Sequence, residues 1–505
     1  MKKFLTTAAL ALLLPLVAGA QETFTPSYKY RITLRDKKHN DYSLKHPEQF
    51  LSQKSLERRR RQKLKLDETD LPVSPAYVKQ ILSTGVTLCS KSKWNNTVLV
   101  QTTDTTLLDA VAQMPFVAAV RKVATYAEPA ERDDTDRFAL VNDTAKVAAA
   151  KVSRTEQIRS VFSSLHPTAE NSEVDSIGIA VAYLADFMRL DDHDEDEEED
   201  EAPSHPIYGK AFTQINQLHG QSLHERGFRG QGMTIAIIDG GFYNADIIPM
   251  LKNVNILGVK DFVDPNGNVY EEDTHGMMVL SCIGTNTPGT FVGTAPEAAF
   301  WLLRSEDGYS EQMVEEDNWC AAVEFADSVG VDVVNTSLGY SRYDNPADNV
   351  RYWEMDGHTR ICSHTGSLMA SKGMVLCTSA GNEASKTWKL ISIPADADNV
   401  LTVGAVTDEG INSNFSSIGN SADGRIKPDV MAMGVDATVL SPAGKVTTAN
   451  GTSFASPIMC GMVTCFWQAH PEMTALDVVK AVRKLGDNVE HPNNVFGYGI
   501  PNFSK

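Results

Sequence analysis

From residue 207 onward, short apolar runs alternate with longer segments in which apolar residues recur every three or four positions. Met233 to Ile238, Val331 to Thr336, Met374 to Ser379 and Leu401 to Val406 are the apolar runs. Each fits a parallel strand buried on both faces. Helical spacing lies between them, in Glu311 to Val329 and around Leu280. Strands alternating with helices predict an α/β unit: a mainly parallel central sheet flanked by helices. Ile458 to Trp467 reads as a further, buried helix. Proline suits a helix's first turn, so Pro457 places Ser453 at that helix's N-terminus.

The pattern upstream is different. Tyr28 to Leu34 alternates apolar and polar residues, as a half-buried strand does. Asn96 to Val100 and Val117 to Val123 also read as strands, with helical stretches near Ala76 to Leu82 and Asp104 to Val111. Residues 21–128 are therefore expected to form a small α+β unit. Residues 129–206 hold a helix-like stretch, Thr144 to Leu165, and a short apolar one, Ile177 to Met188. Asp191 to Glu201 follows, with ten acidic residues. Like charges repel and stay hydrated, so 129–206 reads as an exposed connector. No internal repeat is present.

The chain has 505 residues, enough for two or three domains. About half of its formal net charge of -19 sits in the one acidic run, so acidity is not a property of the whole protein. Nothing in the charge pattern suggests nucleic-acid binding. Lys2 and Lys3, the apolar stretch Ala8 to Val17 and Ala18-Gly19-Ala20 make residues 1–20 read as a signal peptide. The residue just after the expected cut is Gln21 and not a cysteine, so no lipid anchor is expected there, and no later stretch is long and apolar enough to span a membrane. The expectation is an exported protein, whether secreted, periplasmic or envelope-associated. The seven cysteines show no metal spacing. Cys282, Cys377, Cys460 and Cys465 lie in apolar segments, where cysteine is usually a small buried residue. No motif requires a cofactor. Calcium binding by the acidic run stays open beside its reading as a solvated linker.

Four short motifs carry candidate chemistry. Asp239 closes an apolar strand and precedes Gly240-Gly241. Ligand sites of parallel sheets lie beyond the strands' carboxyl ends, where this aspartate would sit. His275 follows Asp273-Thr274, either of which can cap the next helix. The helix dipole would disfavour its imidazolium and a nearby carboxylate would favour it, a balance that suits a general base. Asn382 ends Ser379-Ala380-Gly381-Asn382 and offers a neutral amide donor. Ser453 lies in Asn450-Gly451-Thr452-Ser453-Phe454-Ala455-Ser456-Pro457, where a helix N-terminus would face charge forming at its hydroxyl. Taken singly, the first and third motifs are ordinary turns, and the histidine suits a structural role.

In the order Asp, His, Asn, Ser, these motifs resemble those of the subtilisin-like serine peptidases. The resemblance runs over residues 207–502. It includes Gly227-Phe228-Arg229-Gly230, Asn335-Thr336-Ser337-Leu338-Gly339, Pro394-Ala395, Val403-Gly404-Ala405-Val406, Lys427-Pro428-Asp429-Val430 and Gly497-Tyr498-Gly499. It implies a subtilisin-like fold over 207–505 and a serine endopeptidase with Asp239, His275 and Ser453 as triad. Asn382 would join the Ser453 N–H in an oxyanion hole. Ser337, Leu338 and Gly339 would line one rim of the substrate cleft and Ser379, Ala380 and Gly381 the other, both pairing with an extended peptide. The resemblance also implies that residues 21–128 are a prodomain, a partner that assists folding and blocks the cleft, with protein or peptide substrates as the other partners. The run Arg58-Arg59-Arg60-Arg61 is then expected on a prodomain helix rather than at a processing site. The departures are Gly-Gly after the aspartate, Gly-Met-Met after the histidine and a long stretch from Tyr340 to Lys372. Two other readings stand beside this one. One is a non-catalytic relative that only binds peptides. The other is the sedolisin class, which His275 and Asn382 oppose.

Overall fold

The computed structural model describes residues 25–127 and 205–505. The expected signal peptide, the stretches 144–165 and 177–188 and the acidic run lie outside the described residues.

The N-terminal unit contains β1 (Ser27–Leu34), α1 (Gln53–Arg61), α2 (Pro75–Leu82), β2 (Thr87–Ser92), β3 (Thr97–Thr102), α3 (Leu107–Ala112) and β4 (Val117–Tyr126). Its four strands form one antiparallel sheet in the order β2-β3-β1-β4. Strand side chains alternate between faces. Ile32, Leu34, Val98 and Val100 meet Ile81 of α2 and Val111 of α3 in the unit's own core. Leu99 and Val123 point the other way and join Trp94 in a core shared with the larger unit. The pattern did not reveal β2, whose Thr-Leu-Cys-Ser-Lys-Ser has little apolar content. The arginine run lies on α1 as expected, with Arg58 and Arg59 buried.

The C-terminal unit begins with α4 (Phe212–Gln217) and α5 (Gln221–Glu225). Then follow β5 (Thr234–Asp239), β6 (Asn255–Asp261), α6 (His275–Gly284), β7 (Asn286–Thr287), β8 (Phe291–Val292), β9 (Ala299–Arg304), α7 (Val314–Val329), β10 (Val333–Thr336), α8 (Ile361–Leu368), β11 (Val375–Ser379), β12 (Leu401–Val406), β13 (Val430–Met433), β14 (Ala437–Leu440), β15 (Val446–Ala449), α9 (Thr452–Ala469) and α10 (Ala475–Leu485). Seven strands form a parallel sheet in the order β13-β12-β11-β10-β5-β9-β6. After β5 the chain builds β6 and β9 on one side, then crosses to β10 and adds the rest on the other. The order therefore reverses between β5 and β10, where a crevice opens at the strands' carboxyl ends.

Helices cover both faces, which is why the strands read as unbroken apolar runs. Ile235 and Ile237 face a core with α6, α9 and α10, while Ala236 and Ile238 face one with α7. Every residue of β5 is buried. The edge strand β6 escaped the pattern because it is half-exposed and shows no alternation of apolar and polar residues, with Leu257 and Val259 on its open side.

One sequence expectation needs correction. Pro457 is the sixth residue of α9, in its second turn. A proline there removes the N–H that would bond the carbonyl four residues back, on Ser453. The Ser337 hydroxyl donates to that carbonyl instead, at 2.8 Å. The helix thus keeps its proline because a side chain from the end of β10 replaces the missing donor.

Candidate active site

Asp239 ends β5 and is fully buried. His275 is the first residue of α6 and is only 7% exposed. Its Nδ1 lies 2.7 Å from Asp239 Oδ1. A carboxylate only accepts, so the imidazole donates and its Nε2 is the nitrogen left for chemistry. Two glycines permit this approach. A Cβ on Gly241 would come within 2.4 Å of Asp273 N, and one on Gly276 within 2.3 Å of Gly241 O. The expected cap is divided: Thr274 holds the cap position without a side-chain bond, and Asp273 Oδ1 accepts from His275 N at 3.0 Å.

The electrostatics of the pair oppose one another. Burial pushes His275 down, but the charge and hydrogen bond of Asp239, with Asp273 beyond, outweigh it and raise the pKa above the ordinary value. Burial pushes Asp239 up, opposed by His275 and by the Gly240 N–H at 2.9 Å. Its Oδ2 has no hydrogen-bond partner among the described residues, since Gly-Gly supplies no hydroxyl.

Ser453 sits in the first turn of α9, across from His275. The Phe454 ring packs with its centroid 5.9 Å from that of His275. Ser453 Oγ donates to Ser337 O at 3.2 Å. Gly451, just before the helix, has φ +151°, a conformation that favours glycine.

Asn382 follows β11. The Thr452 N–H and hydroxyl both donate to its Oδ1, at 3.0 and 2.9 Å, so its Nδ2 turns the other way as a donor. The point where a Cβ on Gly451 would lie is 3.6 Å from both Asn382 Nδ2 and Ser453 N. Two N–H donors therefore converge beside the hydroxyl, with no side chain between them.

The six expected rim residues divide in two. Ala380 N donates to Val403 O and Ala380 O accepts from Ser392 N. Gly381 N donates to Thr452 Oγ1 and Gly381 O accepts from Ser417 N. With Ser379 inside β11, this side is a wall whose backbone groups are used within the fold. The expected strand pairing does not extend to it. On the other side, Leu338 and Gly339 make no backbone hydrogen bond among the described residues, and Tyr340 resumes pairing with Ile393. Leu338 and Gly339 form the unpaired edge.

The sequence did not single out Thr452, Ser392 or the buffering role of Ser337. Thr452 was legible, since it lies inside the Gly-Thr-Ser motif. Ser392 had no local signal. A Cβ on Gly339 would meet its Oγ at 2.3 Å and one on Gly381 at 2.9 Å, so it fills the floor between the rims. Ser337→Ala is expected to leave the Ser453 carbonyl unsatisfied beside Pro457, costing about 1–3 kcal/mol. A lower midpoint in denaturant unfolding, with an unchanged slope, checks this.

The model of the subtilase family matches residues 230–499, just over half of the chain. The chain belongs to the subtilase family. A second model, the Bacteroidota peptidase S8 propeptide domain, matches residues 29–137. The subtilase is similar to subtilisin NAT of Bacillus subtilis subsp. natto, at 28% identity over 289 residues, 56% of this chain and 68% of that protein. It is similar to the serine protease AprX of Bacillus subtilis (strain 168), at 29% identity over 317 residues, 56% of this chain and 67% of that protein. The crystal structure of MycP1 with the N-terminal propeptide removed matches with a TM-score of 0.46 and 23% identity, over 58% of this chain and 95% of that chain. This subtilase is a serine-type endopeptidase with its own propeptide domain, acting on protein substrates. No described helix is long and apolar enough to cross a membrane.

Proposed function

We propose that Asp239, His275 and Ser453 are the triad of an exported endopeptidase made as a zymogen, with Asn382 and the Ser453 N–H as its oxyanion hole. The observation that carries this is the 2.7 Å bond from His275 to a fully buried Asp239, at the same end of the sheet as Ser453 and the two converging donors.

Substrate lies along the Leu338–Gly339 edge with its scissile carbonyl carbon at Ser453. His275 Nε2 takes the hydroxyl proton as Ser453 Oγ bonds to that carbon. The carbonyl oxygen becomes an oxyanion held by Asn382 Nδ2 and Ser453 N–H. Losing one such donor costs a subtilisin about 10²–10³ in turnover. Asp239 fixes the imidazole's tautomer and stabilises its charged form. The imidazolium then returns the proton to the leaving amine, the C–N bond breaks and the acyl group stays on Ser453. Water, deprotonated by His275, releases the acid and restores the serine.

The N-terminal unit is read as the inhibitory propeptide. Its last strand, β4, reaches the loop before α7, where Thr125 N donates to Gln312 Oε1 at 2.8 Å and Gln312 Nε2 donates to Thr125 O at 3.2 Å. Processing cuts then fall in the connector, 129–206. Residues 1–20 direct export, and calcium in the acidic run remains a separate proposal. Labelling with an organophosphonate fluoride tests the site: covalent modification confined to Ser453 supports it. A folded protein that stays unlabelled would instead be the binding-only relative.

A further inference from the structure

The loop after β9 and the first turn of α7 carry three glutamates that the mechanism does not use, Glu306, Glu311 and Glu315. They lie at the catalytic end of the sheet. Ser305 N, beside Glu306, donates to Asp239 O at 3.0 Å. Tyr340, which follows the unpaired Leu338–Gly339 edge, joins the group from the other side. Its hydroxyl donates to Glu306 Oε1 at 2.8 Å and lies 3.4 Å from Glu315 O. The three carboxylates therefore border the proposed path of the substrate.

Among the described residues, none of the three forms an ion pair. Arg304 stands near, but its guanidinium is spent on Gly240 O, Asp261 and Glu272. Glu315 is 1% exposed. Its Oε1 accepts from Asp307 N at 3.1 Å, and its Oε2 has no hydrogen-bond partner among the described residues. Burial, then the charges of Glu311 and Glu306, hold its pKa well above the usual carboxylate range. Burial also pushes Glu306 up to about 7, with the Asp239 charge adding to it against hydrogen bonds from Ser305 and Tyr340. Glu306 is half-buried and Glu311 exposed, so the group steps from the interior to the surface. A buried carboxylate oxygen with no donor is costly, and a cationic side chain brings both the donors and the missing charge.

The position along the substrate follows from the edge. Ser453 Oγ donates to Ser337 O, so Ser337 stands level with the reacting residue. Tyr340 lies three residues further on. A peptide extended beside this edge advances about 3.3 Å per residue, as the edge itself does. The N-terminal unit gives the direction. Its strand β4 ends against this loop, where Thr125 bonds Gln312, and burial, then Asp307 and Glu315, raise the pKa of the Tyr126 phenol. Its chain meets the glutamates before any later residue can reach Ser453, so they serve residues ahead of the bond that is cut.

We propose that Glu306, Glu311 and Glu315 bind an arginine or lysine side chain of the substrate, about three residues ahead of the one that acylates Ser453. The proposal deepens the endopeptidase reading and rests on Ser453 as its nucleophile.

The test uses the wild-type chain and peptides that differ only at that position, arginine in one and methionine in the other. Labelling of Ser453 by an organophosphonate fluoride counts the active molecules. The kcat/KM on the arginine peptide is expected to exceed that on the methionine peptide by about 10–100-fold. Glu306→Gln with Glu315→Gln is expected to bring this ratio down to about threefold or less. Glu311→Lys, at an exposed position, lowers the ratio as well. Thermal melting shows which variants are folded, and Glu311→Lys decides if the double variant is not. A parent that takes the label and cuts both peptides equally overturns the proposal, as does an unchanged ratio in every folded variant. A parent that takes no label and cuts neither peptide overturns the endopeptidase reading, and the proposal falls with it.

Discussion

Alanine at position 453 is expected to lower turnover by about 10⁶, the loss that a subtilisin suffers when its serine is removed. The reason is local. The hydroxyl is the only group of Ser453 that can bond the substrate carbon, while the backbone N–H and Asn382 remain to bind the oxyanion. A small residual rate over water should therefore survive. Stability should change little, because among the described residues the Ser453 side chain makes one hydrogen bond, to Ser337 O. Two measurements check this: steady-state hydrolysis of a peptide library and the size of the precursor made with no other protease present. Persisting hydrolysis would remove Ser453 as nucleophile. Normal maturation of the variant would show that another enzyme makes the cut.

Asp239→Asn carries the second largest expectation, a fall of about 10⁴ in kcat. Asparagine keeps the shape but accepts or donates without charge, so it no longer enforces the tautomer with a free Nε2. It also moves the acid limb of the pH profile. The base must be neutral, so kcat/KM falls as pH drops through the His275 pKa. In the parent, Asp239 and Asp273 raise that pKa above 6.5 against burial. Removing the Asp239 charge leaves burial a larger share of the balance, so the limb should shift to lower pH while the plateau falls. The limb of kcat/KM in parent and variant reads this directly. An unmoved limb would mean that the titrating group is not an imidazole facing Asp239.

Much of the catalytic end was legible because its residues are constrained by backbone chemistry nearby. Asp239 needed a strand end, His275 a helix start and Ser453 a turn that tolerates only glycine before it, and each leaves a string of small residues. The four central strands were legible because burial on both faces removes polar residues from them. Strands β6 and β2 were missed for the same reason in reverse: β6 is an edge, and β2 has few apolar side chains to alternate. Pro457 misled by one turn, since the serine that satisfies Ser453's carbonyl lies far away in sequence, at the end of β10. Ser392 and the wall-like nature of 379–381 had no local signal. Both depend on which segments the sheet places side by side.

The sequence by itself determined most of the elements, the family and the candidate reacting groups, because periodicity and turn chemistry act over a few residues. Only the tertiary structure decided which of those groups meet and which backbone edge stays unpaired. It also buried two of the four arginines in the run, Arg58 and Arg59, against the C-terminal unit. The physical reason is that pairing a charge or a carbonyl depends on distance in space, and partners such as Arg58 and Asp327 come together only when the chain has folded.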